Sequence, residues 1–109
     1  MITATLKSTA DGYYKGFTVK GHSGSAPAGK DIICAAVSAI VQTALIGLDE
    51  VALINNSYEI SDGHIKCILP ENVNDKSFDK AQTIIRVMHF GLISIAEQYH
   101  DFVRINEER

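Results

Sequence analysis

The longest apolar stretch of the sequence, 32–48, constrains the fold more than any other feature. It is interrupted by three polar residues and is shorter than the roughly 20 apolar residues that a bilayer-spanning helix requires. Its residues are good helix formers, and Asp31 suits the positive end of a helix dipole, so we predict a helix over 31–48 that ends near Gly47. Apolar side chains lie almost all the way round this helix. We therefore expect a sheet on one side of it and a second helix on the other.

A β-hairpin is predicted on each side of this helix. Residues 1–9 and 13–20 alternate between apolar and polar side chains, and Asp11-Gly12 between them is a turn signal. The stretch 58–69 repeats the pattern around Asp62-Gly63. Both hairpins favour antiparallel pairing.

The C-terminal third of the chain predicts a second helix. Apolar residues recur at helical spacing over 75–99, and 102–105 is consistent with a short last strand, followed by a solvated tail at 107–109. The order is ββαββα with a possible final strand, which favours an α+β fold with two helices packed on a mainly antiparallel sheet. A chain of 109 residues leaves no room for a second core, so we expect one domain over 1–109.

Composition and charge exclude several classes of function. A net charge of -3 argues against broad nucleic-acid binding, which depends on neutralising many phosphates with Lys and Arg. Residues 1–8 hold no basic segment followed by an apolar stretch, so we expect a cytoplasmic protein with no membrane association. Two cysteines are too few for a disulfide scaffold and are expected to be thiols.

Cys34 and His22 are the candidate catalytic pair. Cys34 falls in the first turn of the predicted helix, where unpaired backbone N–H groups and the dipole stabilise a thiolate and could hold an oxyanion. His22 lies twelve residues earlier, and the stretch 21–30 between them is rich in glycine and is expected to be a mobile loop. If the loop brings imidazole and sulfur together, the pair suits nucleophilic catalysis.

Simpler interpretations of these residues stay open. A cysteine in an apolar helix usually serves packing, and a loop histidine often makes only local hydrogen bonds. Asp31 could orient His22, or it could cap the helix. Ser38, one turn after Cys34, is either a polar neighbour of the thiol or a hydrogen-bonder to the preceding turn.

The run formed by Gly21-His22, Gly29, Asp31 and 34–38 (Cys-Ala-Ala-Val-Ser) closely resembles the signature of the ribosomal-processing cysteine protease family, called Prp. The order and length of the hairpins and the closing helix are similar too, so the resemblance covers nearly the whole chain. Gly21, Gly24 and Gly29 then belong to a loop that contacts the substrate.

The resemblance implies a specific reaction. Family members remove a short N-terminal extension from the large-subunit ribosomal protein L twenty-seven, and they form homodimers. Cys34 matches the family's nucleophile and His22 its general base, while Asp31 and Ser38 match supporting positions. Members often carry an aromatic residue between the histidine and the cysteine, where this chain has Ser25, Pro27 and Ala28, so the substrate contacts of the loop are expected to differ.

Two other functional classes compete with a protease. One is a non-enzymatic binding module that engages a ribosomal component and would tolerate loss of the Cys34 thiol. The other is a thiol redox protein, for which Cys67 would have to be the resolving cysteine. Cys67 alternates with apolar residues on a predicted strand, which favours a core position. No Cys-x-x-Cys or His-x-x-x-His spacing occurs, so we predict no metal and no cofactor.

Overall fold

The computed structural model describes residues 1–22, 24, 31–55 and 57–109, and these form two helices and one sheet of five strands. The α+β class is confirmed. The strand order in the sheet is β3-β4-β2-β1-β5. In chain order the elements are β1 (Ile2–Ser8), β2 (Tyr14–Lys20), α1 (Ile32–Glu50), β3 (Tyr58–Ser61), β4 (His64–Ile68), α2 (Asp75–Gln98) and β5 (Val103–Glu108).

Three of the four strand pairings are antiparallel, in line with the expected mainly antiparallel sheet, and the fourth is parallel because the expected last strand is present as β5, so the sheet is mixed. Both predicted hairpins are present, and the two hairpins join through antiparallel pairing of β2 with β4. β5 pairs in parallel with β1, from Ile2↔Val103 to Lys7↔Glu108. The reason is the connection: α2 returns the chain along the sheet, so β5 runs in the same direction as β4 and β1. The predicted tail over 107–109 is exposed, but its first two residues belong to β5, which extends to Glu108.

Helix α1 begins where the sequence predicts and ends later. Asp31 is its N-cap, and the backbone N–H of Cys34 donates to Asp31 Oδ1 at 3.0 Å. The predicted end at Gly47 is wrong, because the helix continues to Glu50. Gly47 lies where α1 meets α2: a Cβ built on it would stand 3.3 Å from Cγ2 of Ile84. A small residue there keeps the two helices close.

Among the described residues, one helix, α1, has the length and composition of a membrane-spanning helix. It has 19 residues and a mean hydropathy of 1.9. A core helix meets the same criterion. One face of α1 packs into the core, as predicted, whereas Ile32 and Ile46 point to solvent, so the helix is not covered all round. Its buried residues are Ile33, Val37, Val41, Ala44, Leu45 and Leu48.

The core lies between the sheet and the two helices. Phe17 and Leu6 from the sheet are each 1% exposed, and Leu48, Ile85 and Leu92 from the helices are fully buried. Full burial of side chains this large stabilises by about 1.5–3 kcal/mol each relative to exposure. This packing fixes α1 against the sheet and so sets where its first turn lies relative to the end of β2.

Candidate active site

A pocket of about 240 Å³ brings together three of the side chains singled out by the sequence. It lies between the end of β2, the first turns of α1 and the β3–β4 hairpin. His22, Cys34 and Ser38 all line it, and so does Gly21. The structure therefore places the imidazole and the thiol around one cavity, although twelve residues separate them in the sequence.

Cys34 is the third residue of α1 and is half-buried at the wall of the pocket. Its first-turn position follows from the cap, since Asp31 fixes where the helix begins. The capping role of Asp31 is thus seen directly, and orientation of His22 by Asp31 stays a prediction. Ser38 lies one turn further along the same face.

The cap changes the expectation for the oxyanion. The N–H of Cys34 already donates to Asp31 Oδ1, and the N–H of Ala35 donates to the Asp31 carbonyl at 3.1 Å. An oxyanion at this end of the helix would need a different amide, or the Cys34 amide would have to exchange partners when a substrate binds.

His22 lies two residues after the last residue of β2, and its side chain is exposed. Gly21, just before it, has φ +95°, and a Cβ on Gly21 would collide with the carbonyl oxygen of Met1. Only glycine fits this close approach. The N–H of Gly21 also donates to the carbonyl of Gly63 at 2.9 Å, which ties the backbone beside His22 to the β3–β4 turn.

Sequence reasoning missed the contribution of the second hairpin. Its turn and strand ends line the pocket through Ser61, Asp62, Gly63 and His64. The signal that could have found them is nonlocal: the pairing Lys20↔His64 places this turn beside His22. Gln42 was also missed, although its signal is local, because it continues the four-residue spacing of Cys34 and Ser38 along α1.

The predicted substrate loop is described only in part. Gly21 lines the pocket, and Gly24 is exposed with φ +76°. Gly29 lies outside the described residues. Of the stretch 21–30, which we predict to be mobile, the structure describes Gly21, His22 and Gly24.

Cys67 differs from Cys34 in its surroundings. It is 1% exposed on the core side of β4, as the alternating pattern predicts, and its Sγ lies 4.0 Å from Ser57 Oγ. Burial raises the pKa of the Cys67 thiol to about 11, and the Ser57 hydroxyl offsets part of this rise. No disulfide joins Cys34 and Cys67, and a thiol held protonated in the core is a poor resolving partner.

The two histidines outside the pocket lie elsewhere in the fold. His89 is buried, with Nδ1 2.8 Å from the Tyr14 hydroxyl and Nε2 3.4 Å from Glu107 Oε1. His100 is exposed beside Asp101. Within the part of the chain that the structure describes, no group of three or more His, Cys, Asp or Glu side chains is placed to hold a metal ion.

Comparison with known proteins identifies the family of the chain. Residues 1–104 match the family model described as cysteine protease Prp. The ribosomal processing cysteine protease Prp of Bacillus subtilis is 30% identical over 107 residues, covering 96% of each chain. The Staphylococcus aureus protein of the same name is 31% identical over 110 residues, covering 97% of this chain and 98% of that one.

A solved structure extends the similarity to the fold. The ribosomal processing protease Prp of S. aureus, in complex with a covalently linked product peptide, matches with a TM-score of 0.87 and 26% identity over 98% of this chain and 99% of that one. These matches set aside the alternative of a non-enzymatic binding module. The chain belongs to the Prp family of ribosomal processing proteins and is a cysteine protease.

Proposed function

We propose that this chain removes the N-terminal extension of the large-subunit ribosomal protein L twenty-seven, with Cys34 as nucleophile and His22 as general base and acid. The observation that carries the proposal is the shared pocket: His22 and Cys34 line one cavity at the N-terminus of a helix. The relatives' names support a ribosomal protein as the substrate.

The proposed reaction runs in two steps. His22 takes the Sγ proton of Cys34 as the sulfur attacks the carbonyl carbon of the peptide bond, and it then gives that proton to the leaving amine. The mature ribosomal protein departs with the new N-terminus, and the extension remains on Cys34 as a thioester. Water then attacks the thioester carbonyl while His22 accepts its proton, the C–S bond breaks, His22 returns the proton to Sγ of Cys34, and the extension leaves as a free acid. A covalently linked product peptide on the S. aureus relative is consistent with a covalent step of this kind.

Ser38 and Asp31 have supporting roles in this scheme. Ser38 offers a hydroxyl within the same pocket as the thiol. Asp31 holds the first turn of α1 through its bond to the Cys34 amide, so that the sulfur stays at the helix end.

Cleavage of the full-length precursor tests the proposal. Wild type is compared with Cys34→Ala, His22→Gln and His64→Gln, because two histidines line the pocket. We expect loss of cleavage in the first two variants and retention in the third. If His64→Gln abolished cleavage and His22→Gln kept it, His64 would be the base. If the wild type left the precursor intact and cleaved another ribosomal protein, the substrate assignment would be refuted.

We further propose that the protease is one domain over 1–109, acts as a homodimer and works in the cytoplasm. The family resemblance supports the first two points, and a ribosomal substrate supports the third. Light scattering after gel filtration would show twice the chain mass for a homodimer and the single chain mass otherwise. Fractionation of cells would find the protein with the soluble cytoplasmic proteins, and recovery with the membranes would contradict the third point.

A further inference from the structure

We propose that Gly63 is a positioning residue for the base: because it lacks a side chain, it sets where the imidazole of His22 lies. The inference rests on the proposed role of His22. Gly63 belongs to the turn between β3 and β4, far from His22 in the sequence, and both residues line the active-site pocket.

The contact between the two residues is close. A Cβ built on Gly63 would stand 3.0 Å from Nε2 of His22 and 3.6 Å from both Cδ2 and Cε1. Ordinary van der Waals contact between heavy atoms begins at about 3.5 Å. The imidazole therefore lies beside Gly63 so closely that the Cβ of any other residue at position 63 would crowd Nε2.

A side chain at position 63 would move the imidazole more easily than the backbone. The Gly21 N–H donates to the Gly63 carbonyl at 2.9 Å, so separating the two backbones would break this hydrogen bond. The His22 side chain is exposed and can turn to another rotamer. The substitution therefore displaces the base and leaves the fold in place.

Displacement of the base acts on catalysis and spares binding. Relieving the 3.0 Å contact moves the imidazole by a few tenths of an ångström, or further if the ring changes rotamer, and a misplacement of about 1 Å can lower a rate about 100-fold. The substitution leaves the other side chains that line the pocket unchanged, so we expect peptide binding to change less than the chemical step. We expect Gly63→Ala to lower kcat about 10- to 100-fold and to change KM less than about threefold.

Gly12 provides a matched control at the turn of the other hairpin. It has φ +88°, so Gly12→Ala carries the strain of a left-handed alanine, but nothing lies within 4 Å of a Cβ built on it. Gly63, with φ +66°, carries both the strain and the contact with His22. Gly63→Asn is a second variant that tolerates positive φ better while still adding a Cβ.

The experiment measures peptide cleavage together with alkylation of Cys34 by iodoacetamide, which needs no turnover. Gly63→Ala and Gly63→Asn should slow both reactions, and Gly12→Ala should slow neither. In a His22→Gln background, Gly63→Ala should cause no further loss of alkylation rate, since the displaced group is already absent.

The outcomes separate this inference from the proposed function. If Gly63→Ala and Gly12→Ala behave alike, or if Gly63→Ala still slows alkylation without His22, Gly63 does not act through the base. If the wild type leaves the precursor intact but the alkylation pattern holds, the positioning role stands and the substrate assignment fails.

Discussion

Removing the side chain of Asp31 should destabilise the protein and disturb the site at the same position. The carboxylate caps α1 and accepts the N–H of Cys34 at 3.0 Å. Loss of an N-cap acceptor costs about 0.5–2 kcal/mol, and loss of a negative charge at a helix N-terminus costs about 0.3–1 kcal/mol. We expect Asp31→Ala to lower the free energy of unfolding by about 1–2 kcal/mol, and Asp31→Asn, which keeps an acceptor, by at most about 1 kcal/mol.

Asn74 supplies the internal control for this measurement. It caps α2 through its side-chain oxygen, which accepts the N–H of Ser77 at 2.9 Å. Asn74→Ala should cost about 1 kcal/mol, close to the cost at Asp31, but away from the pocket. Urea unfolding followed by circular dichroism gives the stabilities, and precursor cleavage gives the activities.

The two caps should differ in their effect on cleavage. Asp31→Ala frays the turn that carries Cys34, so cleavage should fall, whereas Asn74→Ala should cleave at the wild-type rate at temperatures where it is folded. If the Asp31→Ala variant were as stable as the wild type, the capping argument would be refuted. A folded Asp31→Asn that no longer cleaves would show that the charge itself acts in the site.

Three further predictions concern the thiols and the core. The pKa of the Cys67 thiol is about 11 in the folded protein against an ordinary 9.0, so the folded state keeps the thiol proton at higher pH than the unfolded state does. The resulting stabilisation of the folded state is complete below pH 9 and is lost as the pH rises through 11, by about 2–3 kcal/mol in all. The free energy of unfolding, measured in urea between pH 8 and 11, should therefore fall more steeply with pH for the wild type than for Cys67→Ala. Parallel curves would contradict the raised pKa of Cys67. Iodoacetamide at neutral pH, with peptide mapping, should label Cys34 well before Cys67, and equal labelling would contradict the difference in their surroundings. Phe17→Ala should cost about 3–5 kcal/mol because the ring is 1% exposed, while Val87→Ala, 67% exposed, should change stability by less than about 0.5 kcal/mol; similar losses would mean that the core is misplaced.

Local signals in the sequence predicted the elements that local chemistry determines. Asp62-Gly63 marks a tight turn because the second position requires positive φ, and the structure has φ +66° at Gly63. Asp31 marks the start of α1 because its side chain can accept a first-turn N–H. Such features depend on residues within a few positions of each other.

Nonlocal pairing could not be predicted in the same way. Alternating strands are similar to one another, so the sequence did not specify that β2 pairs with β4 or that β5 joins β1 in parallel. The Lys20↔His64 register brings Gly63 beside His22, and this half of the site was therefore missed. Gly47 was misinterpreted for the same reason, since the contact that explains it is with Ile84 on another helix.

If Cys34 is the nucleophile, the reaction passes through a covalent acyl-enzyme, and the amount of this intermediate can be measured. We expect a 4-nitrophenyl ester of the extension peptide to acylate the enzyme faster than water hydrolyses the acyl-enzyme, so the acyl-enzyme should accumulate. The wild type should release a burst of 4-nitrophenol equal to the enzyme concentration, and peptide mapping should find the acyl group on Cys34. Cys34→Ala should give no burst. A stoichiometric burst from Cys34→Ala, or an acyl group mapped to another residue, would contradict the account.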